Sequence, residues 1–121
     1  MKKLGLRLII VWFITLMPIT INASNWYYIG SSENSNTSMF IDNDSVKKNE
    51  DSAEVWIKSN KSDGSYSLDL YRFNRKYRTI AIITSTDYNS LGEVVETYHF
   101  KIKYEPIIPD SIGETIFKLI W

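Results

Sequence analysis

The chain is 121 residues long and carries 14 basic and 14 acidic side chains, a single histidine and no cysteine. A chain of this length is expected to form one domain, and without cysteine it can build neither a disulfide framework nor a thiolate metal site. It also lacks the cationic surplus that phosphate contacts demand, so nucleic acid is not expected among its partners.

Lys2, Lys3 and Arg7 open the chain, Leu8 to Met17 is apolar apart from Thr15, and Pro18 leads on to Ala23. A charged start, an apolar centre and a small residue at the cut predict a cleavable export signal over 1–23, leaving a mature domain over 24–121. The competing reading is a permanent anchor. The run from Leu8 to Ile21 is interrupted by Thr15, Pro18 and Thr20, whereas a spanning helix needs about 20 mostly apolar residues. Ile21, three residues before the cut, is bulkier than the residue usual there, and the missing cysteine excludes a thiol-linked lipid. The expected location is therefore the periplasm, the cell surface or the medium, with no membrane span after cleavage. Loss of Lys2, Lys3 and Arg7 tips the mature domain to a mildly acidic balance.

Aromatic and β-branched residues dominate the mature segment, and they suit a pleated, half-buried surface. Trp26-Tyr27-Tyr28-Ile29 predicts a first strand, ended by Gly30 and the Ser/Asn-rich loop from Ser31 to Ser38. Met39-Phe40-Ile41 predicts a short second strand that stops at the turn-forming Asp42-Asn43-Asp44. From Glu54 to Lys58, Val55 and Ile57 share one face and Trp56 takes the other; Lys61-Ser62-Asp63-Gly64 then predicts a hairpin turn. Two long strands come next. Tyr66, Leu68 and Leu70 share a face of the first, with Ser67 and Asp69 pointing away. The second sets Arg78, Ile80, Ile82 and Thr84 against Thr79, Ala81 and Ile83, the pattern of a central strand covered on both sides. Asn89-Ser90-Leu91-Gly92 turns the chain into a last strand over Glu93 to Phe100.

Beyond Pro109-Asp110 the period changes. Ser111 and Glu114 have capping-box spacing, and Ile112, Ile116, Leu119 and Ile120 recur as one face of a helix. Gly113 lowers its propensity, so docking on the sheet must hold it. The fold class is α+β: a single-domain antiparallel meander of about six strands with one C-terminal helix packed on it. The aromatic side chains are expected mostly in its core.

No residue set points to catalysis. His99 lies in a predicted strand between Tyr98 and Phe100 without a partner for acid–base work, and no nucleophile elbow accompanies it. One histidine and no cysteine cannot make a zinc site, so no metal and no cofactor are expected. Asp42-Asn43-Asp44-Ser45 begins like a calcium loop, yet Lys47 and Ala53 stand where such a loop needs Gly and Glu. The sequons at Asn36, Asn43 and Asn60 carry little meaning if the source is bacterial. Arg72, Arg75, Lys76 and Arg78, interleaved with Phe73 and Tyr77, are the main charged feature of the mature segment. They form a candidate partner-binding patch for an anionic glycan, lipid headgroups or an acidic protein surface; the plainer reading is a solvated strand end that pairs with nearby carboxylates.

Trp26-Tyr27-Tyr28-Ile29-Gly30, Phe40-Ile41-Asp42-Asn43-Asp44-Ser45-Val46 and Val55-Trp56-Ile57-Lys58 together resemble the bacterial surface-adhesin protein E family. So do Asn74-Arg75-Lys76-Tyr77-Arg78, Asn89-Ser90-Leu91-Gly92 and the closing Ile107-Ile108-Pro109-Asp110-Ser111-Ile112-Gly113-Glu114. The resemblance spans nearly the whole mature chain. It implies a small exported protein with a sheet-plus-helix fold and a non-catalytic binding role, adhesin-like towards host matrix or serum proteins. The alternative is a structural protein of the periplasm or envelope, and a homodimer is left open. Relatives often carry a cysteine just before the Asn-Arg-Lys-Tyr-Arg stretch and another at the end of the helix. Here Arg72 and Trp121 occupy those neighbourhoods, and Trp121 is expected to fill the seam by packing.

Overall fold

The computed structural model describes residues 25–32, 34 and 36–121; the segment read as an export signal lies outside the described residues. In chain order come β1 (Trp26–Ser32), β2 (Thr37–Asp42), β3 (Lys47–Lys48), β4 (Ser52–Lys61) and β5 (Tyr66–Asn74), then β6 (Thr79–Tyr88), β7 (Val94–His99), β8 (Glu105–Pro106) and the helix α1 (Ile112–Ile120). The six longer strands lie in the spatial order β1-β2-β4-β5-β6-β7, and every pairing is antiparallel. This is the expected meander with two additions. β3 pairs with β4 and β8 with β6; strands of two residues are too short to show alternation. No helix among the described residues is long and apolar enough to cross a membrane.

Turn chemistry closes the hairpins where the sequence places it. Between β4 and β5, Gly64 adopts φ +89° and its N–H donates to the Lys61 carbonyl, while Asp63 accepts from the Ser65 N–H. Between β6 and β7, Gly92 at φ +80° donates to the Asn89 carbonyl. The Asn89 side chain there accepts from the Leu91 and Glu93 amides. Left-handed backbone at these two positions favours a residue without Cβ. Asp42 likewise spends its carboxylate on its own loop, accepting from Asn25 N, Asp44 N and the Ser45 hydroxyl. It caps a short 3-10 turn over Asn43–Ser45.

Alternation decides which side of the sheet is covered. In β4 the residues Ala53, Val55 and Ile57 are buried on one face, and register sets Phe73 opposite Ala53 and Ile41 opposite Ile57. The helix closes this face with Ile116, Phe117 and Ile120. Phe73, Ile57 and Val55 are fully buried, each contributing about 1.5–3 kcal/mol of transfer free energy. Two expectations change here. The core is largely aliphatic: Phe73 and Phe117 are the aromatic rings in it, whereas Tyr27, Tyr28, Tyr77, Tyr98, Phe100 and Tyr104 are exposed. On α1, Phe117 takes the buried place foreseen for Leu119, which is 52 % exposed. The stripe runs through Ile112, Ile116, Ile120 and Phe117, and Leu119 falls on its solvent flank.

The helix start is a modified capping box. Ser111 Oγ accepts from Glu114 N at 3.2 Å, as expected, but Glu114 Oε1 accepts from Asp110 N at 3.3 Å rather than from the cap residue itself. Asp110 sits at φ +61°, which turns its amide toward the carboxylate. Gly113 faces the sheet, its missing Cβ pointing at Ile80 Cδ1 3.8 Å away and Ile107 Cγ2 3.9 Å away. At the other end Trp121 packs on Phe117 with ring centroids 5.0 Å apart and donates its indole N–H to the Asn49 carbonyl at 3.1 Å. It fills the seam between helix and β4 entrance as expected. Arg72 takes no part, because its side chain points to the opposite face of β5 from Phe73.

Candidate functional site

The segment Arg72 to Arg78 ends β5 and turns into β6. Asn74 Oδ1 accepts from Tyr77 N at 3.0 Å, and Arg75 N donates to the Asp51 carbonyl at 2.8 Å, so the turn is tied both to itself and to the start of β4. Arg78 occupies the left-handed region at φ +50°, an uncommon conformation for a residue with a Cβ. The strand therefore begins at Thr79, one residue later than the alternation suggested.

The four cations predicted as one patch divide. Arg72 belongs elsewhere: its Nε and Nη2 both donate to Glu54 Oε1, at 3.0 and 2.8 Å, across the β4–β5 register on the face away from the helix. Arg75 and Arg78 turn toward the helix, and Lys76 stays on the turn itself. Arg75 lies over the Trp121 ring at 5.7 Å, Arg78 over the Phe117 ring at 4.6 Å, and Lys76 over Tyr77 at 5.5 Å. Arg78 Nη2 also approaches Glu114 Oε2 at 3.7 Å, and Lys118 Nζ reaches Glu114 Oε1 at 3.5 Å. Rings and charges thus form one seam between the β5–β6 turn and the outer side of α1. Arg78 and Lys118 flank the Glu114 carboxylate there, and Arg75 stands over Trp121 at the end of the helix.

That carboxylate is held ionised. The Asp110 N–H, then Lys118 and Arg78, lower the Glu114 pKa below the ordinary carboxylate value. Its two ion pairs are long and open to water, and such pairs add little to stability. Arg78 and Lys118 keep 55 % and 69 % of their side-chain surface open, so both remain available to an anion. A fifth cation supports the helix end: Lys48 Nζ donates to the Ile120 carbonyl at 2.6 Å, which meets the negative pole of the helix.

Sequence reasoning missed Lys118 and Lys48. Lys118 stands four residues after Glu114, a spacing legible on any helix. Nothing in the sequence shows that this pair would meet Arg78. Lys48 joins Ile120 across 72 positions of chain.

The remaining titratable groups fit structural work. Burial pushes the Tyr71 hydroxyl up to about 12, with Asp69 adding to it. Burial likewise raises Asp69, which accepts from the Ser85 hydroxyl at 2.5 Å. His99 lies exposed on β7. Among the described residues no group of three or more His, Cys, Asp or Glu could hold a metal ion.

The opposite face of the sheet carries a second feature. Trp56 stands between two shallow depressions, one of about 260 Å³ lined by Trp26, Asp42, Ser45 and Leu68. The other, of about 320 Å³, is lined by Ser45, Lys47, Glu54 and Leu70. The alternation of Trp56 against Val55 and Ile57 placed this ring on the far face; its neighbours Ser45 and Lys47 arrive from a loop and a strand too short to foresee.

No curated protein and no solved structure matches the chain. The family model described as surface-adhesin protein E matches residues 26–120. That span runs from the first residue of β1 to the last of α1, so it takes in the whole sheet, the helix and the basic seam, and the chain belongs to the surface-adhesin protein E family.

Proposed function

We propose that this chain is an exported, non-catalytic binding protein of adhesin type, which engages an anionic partner through the seam between the β5–β6 turn and α1. The export signal read over 1–23 and the domain over 24–121 are part of this proposal. The observation that carries it is the line of cations along this seam: Arg78 and Lys118 on either side of Glu114, Arg75 over Trp121 and Lys76 over Tyr77 in the adjoining turn. A local concentration of cations, on an otherwise mildly acidic domain, attracts sulfated glycans or acidic patches of matrix proteins. The rings of Trp121, Phe117 and Tyr77 lie under the cations and supply apolar contact area beside them. Arg72 is left out, because Glu54 neutralises it on the other face.

The test is binding of the purified protein to immobilised matrix proteins and sulfated glycans at low and high salt. The wild type is compared with the double variant Arg75→Glu/Lys76→Glu. Binding should weaken steeply with salt, since exposed charges are screened beyond about 8–10 Å at physiological ionic strength. It should also weaken in the double variant while the thermal midpoint holds. Retention by cell-envelope fractions alone, with no binding to host-derived material, would favour the structural envelope role.

A further inference from the structure

Lys47 and Glu54 are directly opposite in the β3–β4 register, the usual setting for a cross-strand ion pair. They do not make one. Glu54 turns its Oε1 to Arg72 instead, and among the described residues the Lys47 ammonium has no partner. Glu54 Oε2 also accepts no hydrogen bond there. Beside them Ser45 donates its hydroxyl proton to Asp42 Oδ2 at 2.8 Å, which leaves its oxygen free to accept. One free donor and two free acceptors therefore converge on the depression that Trp56 and Leu70 floor. The neighbouring depression, shared across Trp56 and Ser45, is lined by Trp26 and Leu68.

From these positions we infer that the Trp56 trough is a binding site for an uncharged saccharide, with one sugar ring on each side of the indole. Each depression, at 320 and 260 Å³, is near the lower end of ligand-pocket size, about 300 Å³, and so suits a single ring. A pyranose offers an apolar face of C–H bonds, whose slightly positive hydrogens complement the negative face of an indole. Its hydroxyls both donate and accept, which Lys47 Nζ, Glu54 Oε2 and Ser45 Oγ answer in both senses. Charge selects among ligands. Lys47 and Arg72 balance Glu54 and Asp42 around Trp56, and Lys58, which lies over the Trp26 ring at 5.7 Å and the Tyr66 ring at 4.6 Å, leaves one positive charge at the Trp26 end, so a ligand's own charge gains little from the site. This separates the trough from the basic seam, and the two surfaces lie on opposite faces of the sheet. The site is shallow, so dissociation constants of about 0.01–1 mM are expected for a disaccharide.

The experiment titrates the isotope-labelled protein with lactose, cellobiose and N,N′-diacetylchitobiose, and with sialyllactose as a charged comparator, following amide and indole resonances. Saturable shifts from at least one uncharged disaccharide are expected, clustered on Ser45, Lys47, Glu54, Trp56 and Leu70. Trp56→Ala should abolish them and Trp56→Phe should weaken them about tenfold or less. Lys47→Ala and Glu54→Gln should each weaken binding several-fold. Arg75→Glu/Lys76→Glu should leave it unchanged, which keeps this result independent of the seam. A dispersed spectrum for Trp56→Ala verifies that it is folded; should it fail to fold, the Trp56→Phe and Lys47→Ala series carries the test. The inference is overturned if no uncharged disaccharide gives saturable shifts up to about 10 mM, if the shifts map to the helix side, if sialyllactose binds more tightly, or if the variants bind as the wild type does.

Discussion

Ile116→Ala and Leu119→Ala look alike in sequence, since both remove an apolar side chain from one helical stripe. The structure separates them. Ile116 is 3 % exposed within the cluster that joins α1 to β2, β4 and β5, whereas Leu119 is 52 % exposed. Truncating Ile116 removes three buried carbons, or about 2.4 kcal/mol at about 0.8 kcal/mol per carbon. The cavity left against Val55, Ile57 and Phe73 adds to this, because strands on either side restrain collapse; a total of about 3–4 kcal/mol is expected. Truncating Leu119 should cost about 0.5 kcal/mol or less. Urea titration followed by tryptophan fluorescence measures both, with an unchanged m-value verifying that the transition is the same. In a domain of this size 1 kcal/mol corresponds to about 4–8 °C, so the two thermal midpoints should differ by more than 10 °C. Equal losses for the two variants would refute the orientation of the helix, and with it the seam that α1 forms with the β5–β6 turn.

The same geometry sets the outcome of four further perturbations. Gly113→Ala should stabilise the domain by about 0.5–1 kcal/mol, because its Cβ would meet atoms no closer than 3.5 Å at a position without positive φ; calorimetry showing a loss instead would mean that the helix packs more tightly than described. Ser111→Ala should cost about 1 kcal/mol through the bond it accepts from Glu114 N, measured by denaturant titration. Burial raises the Asp69 pKa, so its favourable contribution is fully present below the ordinary carboxylate range and is lost as pH rises through the elevated folded value. Asp69→Asn should accordingly raise the thermal midpoint at pH 7, with the gain shrinking toward pH 4, as a series of melts across that interval would record. Arg72→Ala should change stability by about 1 kcal/mol or less and leave binding at the seam intact, since its only charged partner among the described residues is Glu54.

Much of the scaffold is legible because two periods report it. Alternation in Glu54–Lys58 separates Val55 and Ile57 from Trp56, and the helical spacing of Ile112, Ile116 and Ile120 fixes the docked face. Turn residues mark where strands stop, since Gly64 and Gly92 adopt backbone angles that other residues resist. What escapes is whatever depends on two distant elements meeting. Leu119 and Phe117 both fit a helical stripe; only the height of the sheet beneath decides which is buried. Arg72 and Arg78 fall in one run of sequence, yet the strand ends between them and the turn reverses direction, so they serve opposite faces. Lys118 completes the seam from the far end of the chain. The Trp56 trough is half visible, as a large ring on the far face, but its polar rim comes from β3 and the 3-10 turn, elements too short to carry a pattern.

The central claim is that the helix–turn seam is the binding surface, and one measurement addresses it most directly. The purified protein, Arg75→Glu/Lys76→Glu and Lys118→Glu are each titrated against a heparin-coated sensor over a range of salt concentrations, with circular dichroism verifying the fold of every variant. The account predicts that the wild-type dissociation constant rises steeply with salt, that both variants bind at least tenfold more weakly at low salt, and that their salt dependence is shallower. Wild-type binding that is insensitive to salt, or variants that bind as the wild type does, would contradict it.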